Sequence, residues 1–125
     1  MVLTSAQNQC LLALLALSRT GSDIASKDIA AWLGISRPSV HKRLEMLLAD
    51  GLVVKTPYSK VRLSESGIKV AEELERRGRN LLRLFSEEIG LGPAESSAAV
   101  TLLMSSLSDE SFQKFEDALA AKVSQ

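Results

Sequence analysis

The sequence lacks the features that mark secreted and membrane-spanning proteins. Its one cysteine, Cys10, excludes a disulfide within the chain and favours a reducing compartment. The longest apolar run covers residues 10–17, which is eight residues where a transmembrane helix needs roughly 20. We therefore expect a cytoplasmic protein without a membrane partner.

The groupings of residues that enzymes need are missing as well. The sequence has no paired acid cluster in an apolar setting, no cysteine–histidine pair at a plausible spacing and no glycine-rich phosphate loop. The single histidine, His41, has only Glu45 at a spacing of three or four residues that could share a metal ion or a proton with it. We predict that the chain is not an enzyme and holds no cofactor.

Proline and glycine are also scarce, with three and seven residues, so the pattern is mainly helical. Serine or threonine stands before most of the segments with helical periodicity, as expected of helix N-caps. In particular, Ser26, Ser36 and Ser64 are predicted to cap the second, third and fourth helices. The predicted helices cover about residues 5–17, 27–33, 37–49, 65–89, 94–107 and 109–123.

The period changes to that of β-structure between the third and fourth predicted helices. Residues 52–55 are short and β-branched, residues 60–63 alternate basic and apolar side chains, and a turn joins them. The order helix, helix, glycine turn, helix, hairpin is that of a winged helix-turn-helix. We predict a mainly α fold, in which a winged helix-turn-helix DNA-binding domain with a two-stranded wing (residues 1–64) precedes a long linking helix and a C-terminal helical dimerisation region (residues 65–125).

The third predicted helix has two contrasting faces. An apolar stripe is formed by Val40, Leu44, Leu47 and Leu48, whereas cationic and small polar side chains occupy the other faces. Recognition helices place their N-terminal residues against base edges, and most basic side chains around them contact phosphate. The predicted DNA-binding residues are Arg37, Pro38, Ser39, His41, Lys42, Arg43, Lys55, Lys60 and Arg62.

Charge is divided unevenly along the chain, although the net charge is zero. Residues 1–63 hold eight basic and four acidic side chains, a balance of +4, and residues 64–125 hold seven and eleven, a balance of −4. This division suggests that the N-terminal half faces a polyanion. The predicted partner is double-stranded DNA, and the alternative is a winged helix that binds another protein.

The predicted helices after residue 80 carry more apolar side chains than a small winged helix can cover. Burial of apolar surface yields roughly 25 cal/mol per Å², and a twofold dimer is the commonest way to achieve it. Alternatively, these helices bind a ligand or a different protein. The residues predicted to form a homodimer interface are Leu81, Phe85, Leu103, Leu107, Phe112, Phe115 and Leu119.

Several stretches of the sequence resemble the diphtheria toxin repressor family of metal-dependent transcriptional repressors, in particular its manganese transport regulator branch. They are residues 28–40 (Asp-Ile-Ala-Ala-Trp-Leu-Gly-Ile-Ser-Arg-Pro-Ser-Val), 50–53 (Asp-Gly-Leu-Val) and 61–67 (Val-Arg-Leu-Ser-Glu-Ser-Gly). Other winged-helix families, including the multiple-antibiotic-resistance regulators, share parts of this pattern. The resemblance implies a homodimeric repressor with one winged helix on each DNA half-site.

The chain departs from that family at the positions that ligate the metal. The family uses Asp, Glu and His there, because manganese(II) and iron(II) prefer carboxylate and imidazole ligands. We therefore expect a regulator that does not depend on manganese or iron. One hypothesis is that Arg79 replaces the charge of the metal, and the other is that Arg79 is simply exposed. The positions that the resemblance assigns to ligands hold Asn8, Leu11, Arg79, Thr101, Met104 and Ser105.

A soft metal such as copper(I) remains an alternative, because Cys10 and Met104 carry sulfur ligands. Both residue types occur more often in cores than at metal sites. The sequence leaves the operator, the regulated genes, the effector and the choice between repression and activation open.

Overall fold

The computed structural model describes residues 3–123, without the side chains of Ser105, Lys122 and Val123. The chain forms two compact units, residues 3–80 and the described residues from 81 onwards. The helices are α1 (Ser5–Leu17), α2 (Ser26–Leu33), α3 (Arg37–Ala49), α4 (Glu65–Arg83), α5 (Pro93–Ser106) and α6 (Asp109–Val123). The strands are β1 (Ile24–Ala25), β2 (Val53–Thr56) and β3 (Lys60–Leu63).

Helix α1 is the centre of the first unit. It begins at a capping box, in which Thr4 Oγ1 accepts a hydrogen bond from Gln7 N (3.1 Å) and Gln7 Oε1 accepts one from Thr4 N (2.8 Å). Its buried side chains include Cys10, Leu11 and Leu14. Helices α2 and α3 and strand β3 all pack against it, so the apolar run that is too short to span a membrane forms the core of this unit.

The helix-turn-helix is formed by α2 and α3, as predicted. Gly34 ends α2 in the left-handed conformation, with φ +68°, which a glycine adopts without a steric penalty. Ser36 caps α3, as predicted. The predicted cap of α2 is wrong by one residue, because Ser26 is the first residue of that helix and Ala25 holds the cap position without a side-chain bond.

The displacement of that cap follows from a strand that the sequence analysis missed. Strand β1 pairs with β3 in antiparallel fashion, Ile24 opposite Val61 and Ala25 opposite Lys60. The sheet therefore has three strands in the order β1–β3–β2, although only the two wing strands were predicted. Two residues are too few to show the alternation that identifies a strand.

The junction between the wing and α4 is tightly bonded. Ser64 N donates to the Leu52 carbonyl (3.0 Å), and Ser64 Oγ donates to the Gly51 carbonyl (2.7 Å). Ser64 Oγ also accepts a hydrogen bond from Gly67 N (3.0 Å), which makes it the predicted cap. Gly67 lies so close to the Leu52 carbonyl that a Cβ atom would overlap it.

The second unit contains the end of α4 and the helices that follow. The long helix was predicted to continue to residue 89, and it does so with a change to π-helical geometry over Leu84–Ile89. Gly90, with φ +85°, ends this segment, and α5 packs against it. Within residues 3–123, no helix has both the length and the apolar character that crossing a membrane requires.

Candidate nucleic-acid interface

The start of α3 is held in place by local interactions. Ser36 Oγ accepts a hydrogen bond from Ser39 N (3.3 Å) and lies 2.9 Å from Ser39 Oγ. Pro38 stands in the first turn, where a helix needs no backbone donor. This arrangement fixes the direction in which the first turn of α3 presents its side chains.

The two faces of α3 have the contrast that the sequence predicts. Val40, Leu44 and Leu47 are buried against the rest of the first unit, and Leu48 is half-buried. The side chains on the other faces are exposed at the N-terminal end, where a recognition helix contacts bases. The exposed residues of this part of α3 are Arg37, Pro38, Ser39, His41 and Lys42.

Arg43 differs from the other predicted contacts on α3. It is half-buried, and its Nη1 donates a hydrogen bond to Gln9 Oε1 on α1 (3.4 Å). Its guanidinium group therefore links α3 to α1 in the structure. A role of Arg43 at the DNA surface remains a prediction.

The wing presents two further cations to solvent, Lys55 on β2 and Lys60 on β3, and both are exposed. Arg62, the third predicted wing residue, is engaged: its Nε donates to Asp23 Oδ1 at 3.1 Å. Asp23 directly precedes β1, the strand missing from the sequence analysis. The partner of Arg62 was for this reason not predictable from the wing sequence alone.

Two exposed aromatic side chains of the first unit were not selected by sequence reasoning. The Tyr58 side chain at the tip of the wing is 94% exposed, and Trp32 on α2 is 59% exposed. The sequence held one signal for Tyr58: it is the aromatic residue in a turn, Thr-Pro-Tyr-Ser, whose other residues are small or are proline. Trp32 interrupts no pattern, so its exposure was not visible in the sequence.

The predicted dimer residues divide into two groups in the second unit. Leu81 and Phe112 are buried within the described residues, and the rings of Phe112 and Phe115 are 6.4 Å apart. The other five predicted residues are half-buried. The large apolar side chains most exposed in this unit are instead Leu82 (40%), Ile89 (58%) and Leu102 (66%).

The positions that the resemblance assigns to a metal do not fit manganese or iron. Leu11 is completely buried and has no ligand atom. Arg79 is exposed, and its Nη1 pairs with Glu75 Oε1 at 3.1 Å, one turn earlier on α4. Thr101 Oγ1 donates to the Ser97 carbonyl (3.0 Å), and the Ser105 side chain lies outside the described atoms.

The remaining two positions offer an amide oxygen and a thioether. Asn8 Oδ1 is buried without a hydrogen-bond partner, and Met104 is half-buried. Across residues 3–123, no group of three or more His, Cys, Asp or Glu side chains has an arrangement that could hold a metal ion. Burial raises the pKa of Cys10 to about 11, so the thiol is protonated near neutral pH.

An open groove of about 670 Å³ lies between α1 and α4 in the first unit. Its charged side chains pair largely with each other: Arg19 Nη2 lies 2.6 Å from Glu75 Oε2, and Arg76 pairs with Glu73. The Arg76 hydrogen bond lowers the pKa of Glu73. The groove is lined by Leu15, Arg19, Lys69, Glu72, Glu73, Glu75, Arg76 and Arg79.

Comparison with known proteins identifies the class of the fold. The sequence model of the MarR family matches residues 5–59, which cover α1 through the turn of the wing. The manganese regulator SloR superposes with a TM-score of 0.74 at 23% identity over 91% of this chain and 53% of that one, and the metal-dependent regulator MtsR with 0.78 at 18% over the same shares. The chain has a winged helix-turn-helix fold with a helical C-terminal region.

A sequence relative is more specific about the type. The transcriptional regulator MntR of Escherichia coli is 34% identical over 77 residues, which are 62% of this chain and 49% of that protein. The chain is thus similar to the manganese transport regulators, as the sequence motifs indicated, and it spans about half the length of the relatives it matches. These relatives are transcriptional regulators and not enzymes, in agreement with the prediction for this chain.

Proposed function

We propose that the chain is a homodimeric, sequence-specific DNA-binding transcriptional regulator, acting as a repressor in the cytoplasm without a requirement for manganese or iron. The observation that carries the proposal is the surface of the first unit. The exposed N-terminal face of α3 and the exposed lysines of the wing belong to the same compact unit, and β2 packs against α3. A single duplex can therefore contact both elements.

The two elements have different roles in this proposal. The first turns of α3 enter the major groove, where Arg37 and Lys42 donate to guanine O6 and N7, and Ser39 can bond to any one of several bases. Lys55 and Lys60 on the wing contact phosphate, which positions the protein without reading sequence. Each phosphate contact releases counterions from the DNA, which favours binding and makes the affinity fall with salt.

The two roles are separated by a pair of lysine variants. Lys42→Ala is expected to reduce the discrimination between cognate and random duplexes by roughly 1–3 kcal/mol, because it removes a base contact. Lys60→Ala is expected to weaken binding to both duplexes equally, because it removes a phosphate contact. Fluorescence anisotropy titrations with both duplexes measure the two effects, and unchanged discrimination in Lys42→Ala would exclude a base-reading role for Lys42.

The second unit supports self-association. Leu82, Ile89 and Leu102 are exposed apolar side chains within about 20 residues of each other along the chain. A contiguous exposed apolar patch marks an interaction surface, whereas singly scattered apolar side chains do not, so the proposal requires these three residues to lie in one patch. A twofold dimer is the commonest arrangement that covers such a surface. It would also place two copies of α3 on two half-sites of an operator.

Independence from manganese and iron rests on the residues at the family's ligand positions. A buried leucine and an arginine already paired with Glu75 provide neither a carboxylate nor an imidazole at two of these positions. The described side chains at the other positions, Asn8, Thr101 and Met104, supply neither a carboxylate nor an imidazole either. The switch that regulates DNA binding would in that case be an effector other than manganese or iron, acting on the helical half, or the cellular concentration of the regulator.

A second candidate function is a winged helix that binds another protein. Trp32 favours it, because exposed tryptophan is enriched at protein interfaces. The salt dependence of binding discriminates between the two candidates. DNA binding through several phosphates gives a log–log slope of roughly −0.9 for each contact, whereas a protein interface centred on Trp32 would have a much shallower dependence.

A further inference from the structure

A buried glutamine in the first turn of α1 uses both polar atoms of its amide. Gln7 is only 3% exposed, although glutamine is usually an exposed residue. Its Oε1 accepts a hydrogen bond from Thr4 N (2.8 Å), and its Nε2 donates one to Asp50 Oδ2 (3.3 Å), 43 residues away along the chain. Because a buried amide is costly without partners, the two bonds hold this side chain in one orientation.

The partner of Gln7 lies at the end of α3, the proposed recognition helix. Asp50 is the C-cap residue of α3, where the negative end of the helix dipole disfavours a carboxylate. The Gln7 amide offsets this effect, since a hydrogen bond to a charged acceptor is stronger than one between neutral groups. The bond therefore ties the first turn of α1 to the C-terminal end of α3.

Hydrogen bonds add direction to the contact between α1 and α3. The two helices pack against each other, and both bury apolar side chains in the core of the first unit. Apolar burial is non-directional, whereas a hydrogen bond weakens steeply when its angle departs from linearity. The Gln7–Asp50 bond and the longer Arg43–Gln9 bond (3.4 Å), about two turns earlier on α3, therefore restrict the rotation of α3 about its own axis.

We propose that Gln7 is a positioning residue for base readout: through Asp50 it sets the rotation of α3 and thereby the specificity of DNA binding. The inference rests on the proposed function. Base contacts are short, directional hydrogen bonds, whereas phosphate contacts are largely Coulombic and weaken slowly with distance. A small rotation of α3 therefore reduces the discrimination between sequences and leaves the affinity for random DNA almost unchanged. Gln7 is buried, so it acts on the bases through α3 and not by direct contact.

Two substitutions of Asp50 in the full chain test the role of the bond. Asp50→Asn and Asp50→Ala remove the same charge from an exposed position, but only asparagine keeps an oxygen that can accept from Gln7 Nε2. Discrimination is the ratio of the dissociation constants for a random duplex and for a duplex selected from genomic fragments, measured by fluorescence anisotropy. Asp50→Ala is expected to lower this ratio roughly fivefold, the equivalent of one hydrogen bond, and Asp50→Asn is expected to retain the wild-type ratio.

An exchange of the two partners tests the same bond from α1. Gln7→Glu keeps the capping box with Thr4 but places a carboxylate against Asp50, and it is expected to lower the ratio at least as much as Asp50→Ala. The double variant Gln7→Glu/Asp50→Asn reverses the bond, because an amide on α3 then donates to a carboxylate on α1, and it is expected to restore the ratio. Gln113→Glu is the matched control, since the exposed Gln113 on α6 also donates to an aspartate, Asp117 Oδ1 (3.0 Å). It is expected to discriminate as the wild type does.

The ratio separates a positioning role from a purely structural one. If Asp50→Ala and Gln7→Glu are less stable but discriminate like the wild type, the positioning role is wrong and the proposed function stands. The same conclusion follows if the double variant does not restore the ratio, or if Asp50→Asn loses as much as Asp50→Ala. The exposed Asp50 variants decide the question if Gln7→Glu does not fold. A wild type that does not distinguish the two duplexes overturns the proposed function, and this inference with it.

Discussion

At the scale of single residues, the predicted DNA surface is divided by what each cation already contacts. Lys42 and Lys60 are exposed, whereas Arg43 bonds to Gln9 and Arg62 pairs with Asp23. A cation that is paired with a carboxylate has part of its charge neutralised and fewer donors to offer to phosphate. The free lysines and the engaged arginines are therefore expected to contribute differently to affinity.

The pair of Asp23 and Arg62 gives a direct prediction. Asp23→Asn removes the competing carboxylate, so Arg62 becomes available to phosphate and binding to all duplexes is expected to tighten. The log–log salt slope should become steeper by roughly 0.9, the value for one added phosphate contact. Anisotropy titrations over a range of salt concentrations measure both quantities.

Glu72→Gln on α4 is the control for that variant, because it removes the same charge from an exposed side chain. If it changes affinity and salt slope as much as Asp23→Asn, the effect comes from net charge and not from the release of Arg62. Weaker binding by Asp23→Asn would mean that Asp23 orients Arg62 for DNA and does not compete with it.

The identity of these surface residues could be predicted from the sequence, and their contacts could not. The helical periodicity of α3 distinguishes Lys42 from Val40 without any knowledge of the rest of the chain. The partner of Arg62 is 39 residues away along the chain, and a short strand with almost no sequence signal brings it near. Tyr58 was missed because residue patterns report which side chains are buried and carry little information about single exposed residues in a turn.

At the scale of secondary-structure elements, the sequence predicted those helix boundaries that are determined by capping residues next to them in the chain. Ser36 and Gly34 define the ends of α3 and α2, and Ser64 defines the start of α4. Strand β1 and the π-helical segment at Leu84–Ile89 were missed, since the first exists through pairing with β3 and the second shares its residue pattern with an α-helix. Tertiary context decides both.

The junction between β2 and α4 is predicted to be sensitive to a single methyl group. Gly67→Ala places a Cβ against the Leu52 carbonyl and near Leu63 Cδ2, and a backbone atom cannot move aside as a flexible side chain can. We expect a loss of about 2–4 kcal/mol in the free energy of unfolding, the range of severe overpacking. Urea denaturation followed by circular dichroism measures it.

Gly21→Ala is the matched control, since a Cβ at Gly21 meets no atom within 4 Å and its φ is not in the left-handed region. It is expected to leave stability unchanged within about 0.5 kcal/mol. A Gly67→Ala protein as stable as this control would show that α4 shifts relative to the wing without cost, and that the Ser64 bonds do not fix the junction.

At the scale of the whole molecule, the two units divide the proposed function. The first unit carries the proposed DNA surface, and the second carries exposed apolar side chains that the proposed dimer would cover. The division of charge along the chain gave an early indication of this arrangement. It could not show which apolar residues lie at the surface, because Leu102 and the half-buried Leu103 are equally apolar neighbours on α5.

The proposed dimer is tested by a charge at its most exposed apolar position. Leu102→Glu places a carboxylate in the apolar surface and is expected to shift the protein from dimer to monomer in analytical ultracentrifugation at micromolar concentration. Ser97→Glu, at another exposed position of α5, is the control and is expected to remain dimeric. A dimeric Leu102→Glu protein would exclude Leu102 from the interface.

The measurement that tests the central claim most directly is DNA selection under two metal conditions. Genomic fragments are selected on the purified chain with a chelator and, in parallel, with added manganese or iron, and the enriched site is then titrated by fluorescence anisotropy. Equally tight and specific binding in both conditions is the predicted result, because the ligand positions include a buried leucine and a paired arginine. Specific binding that requires manganese or iron would contradict it.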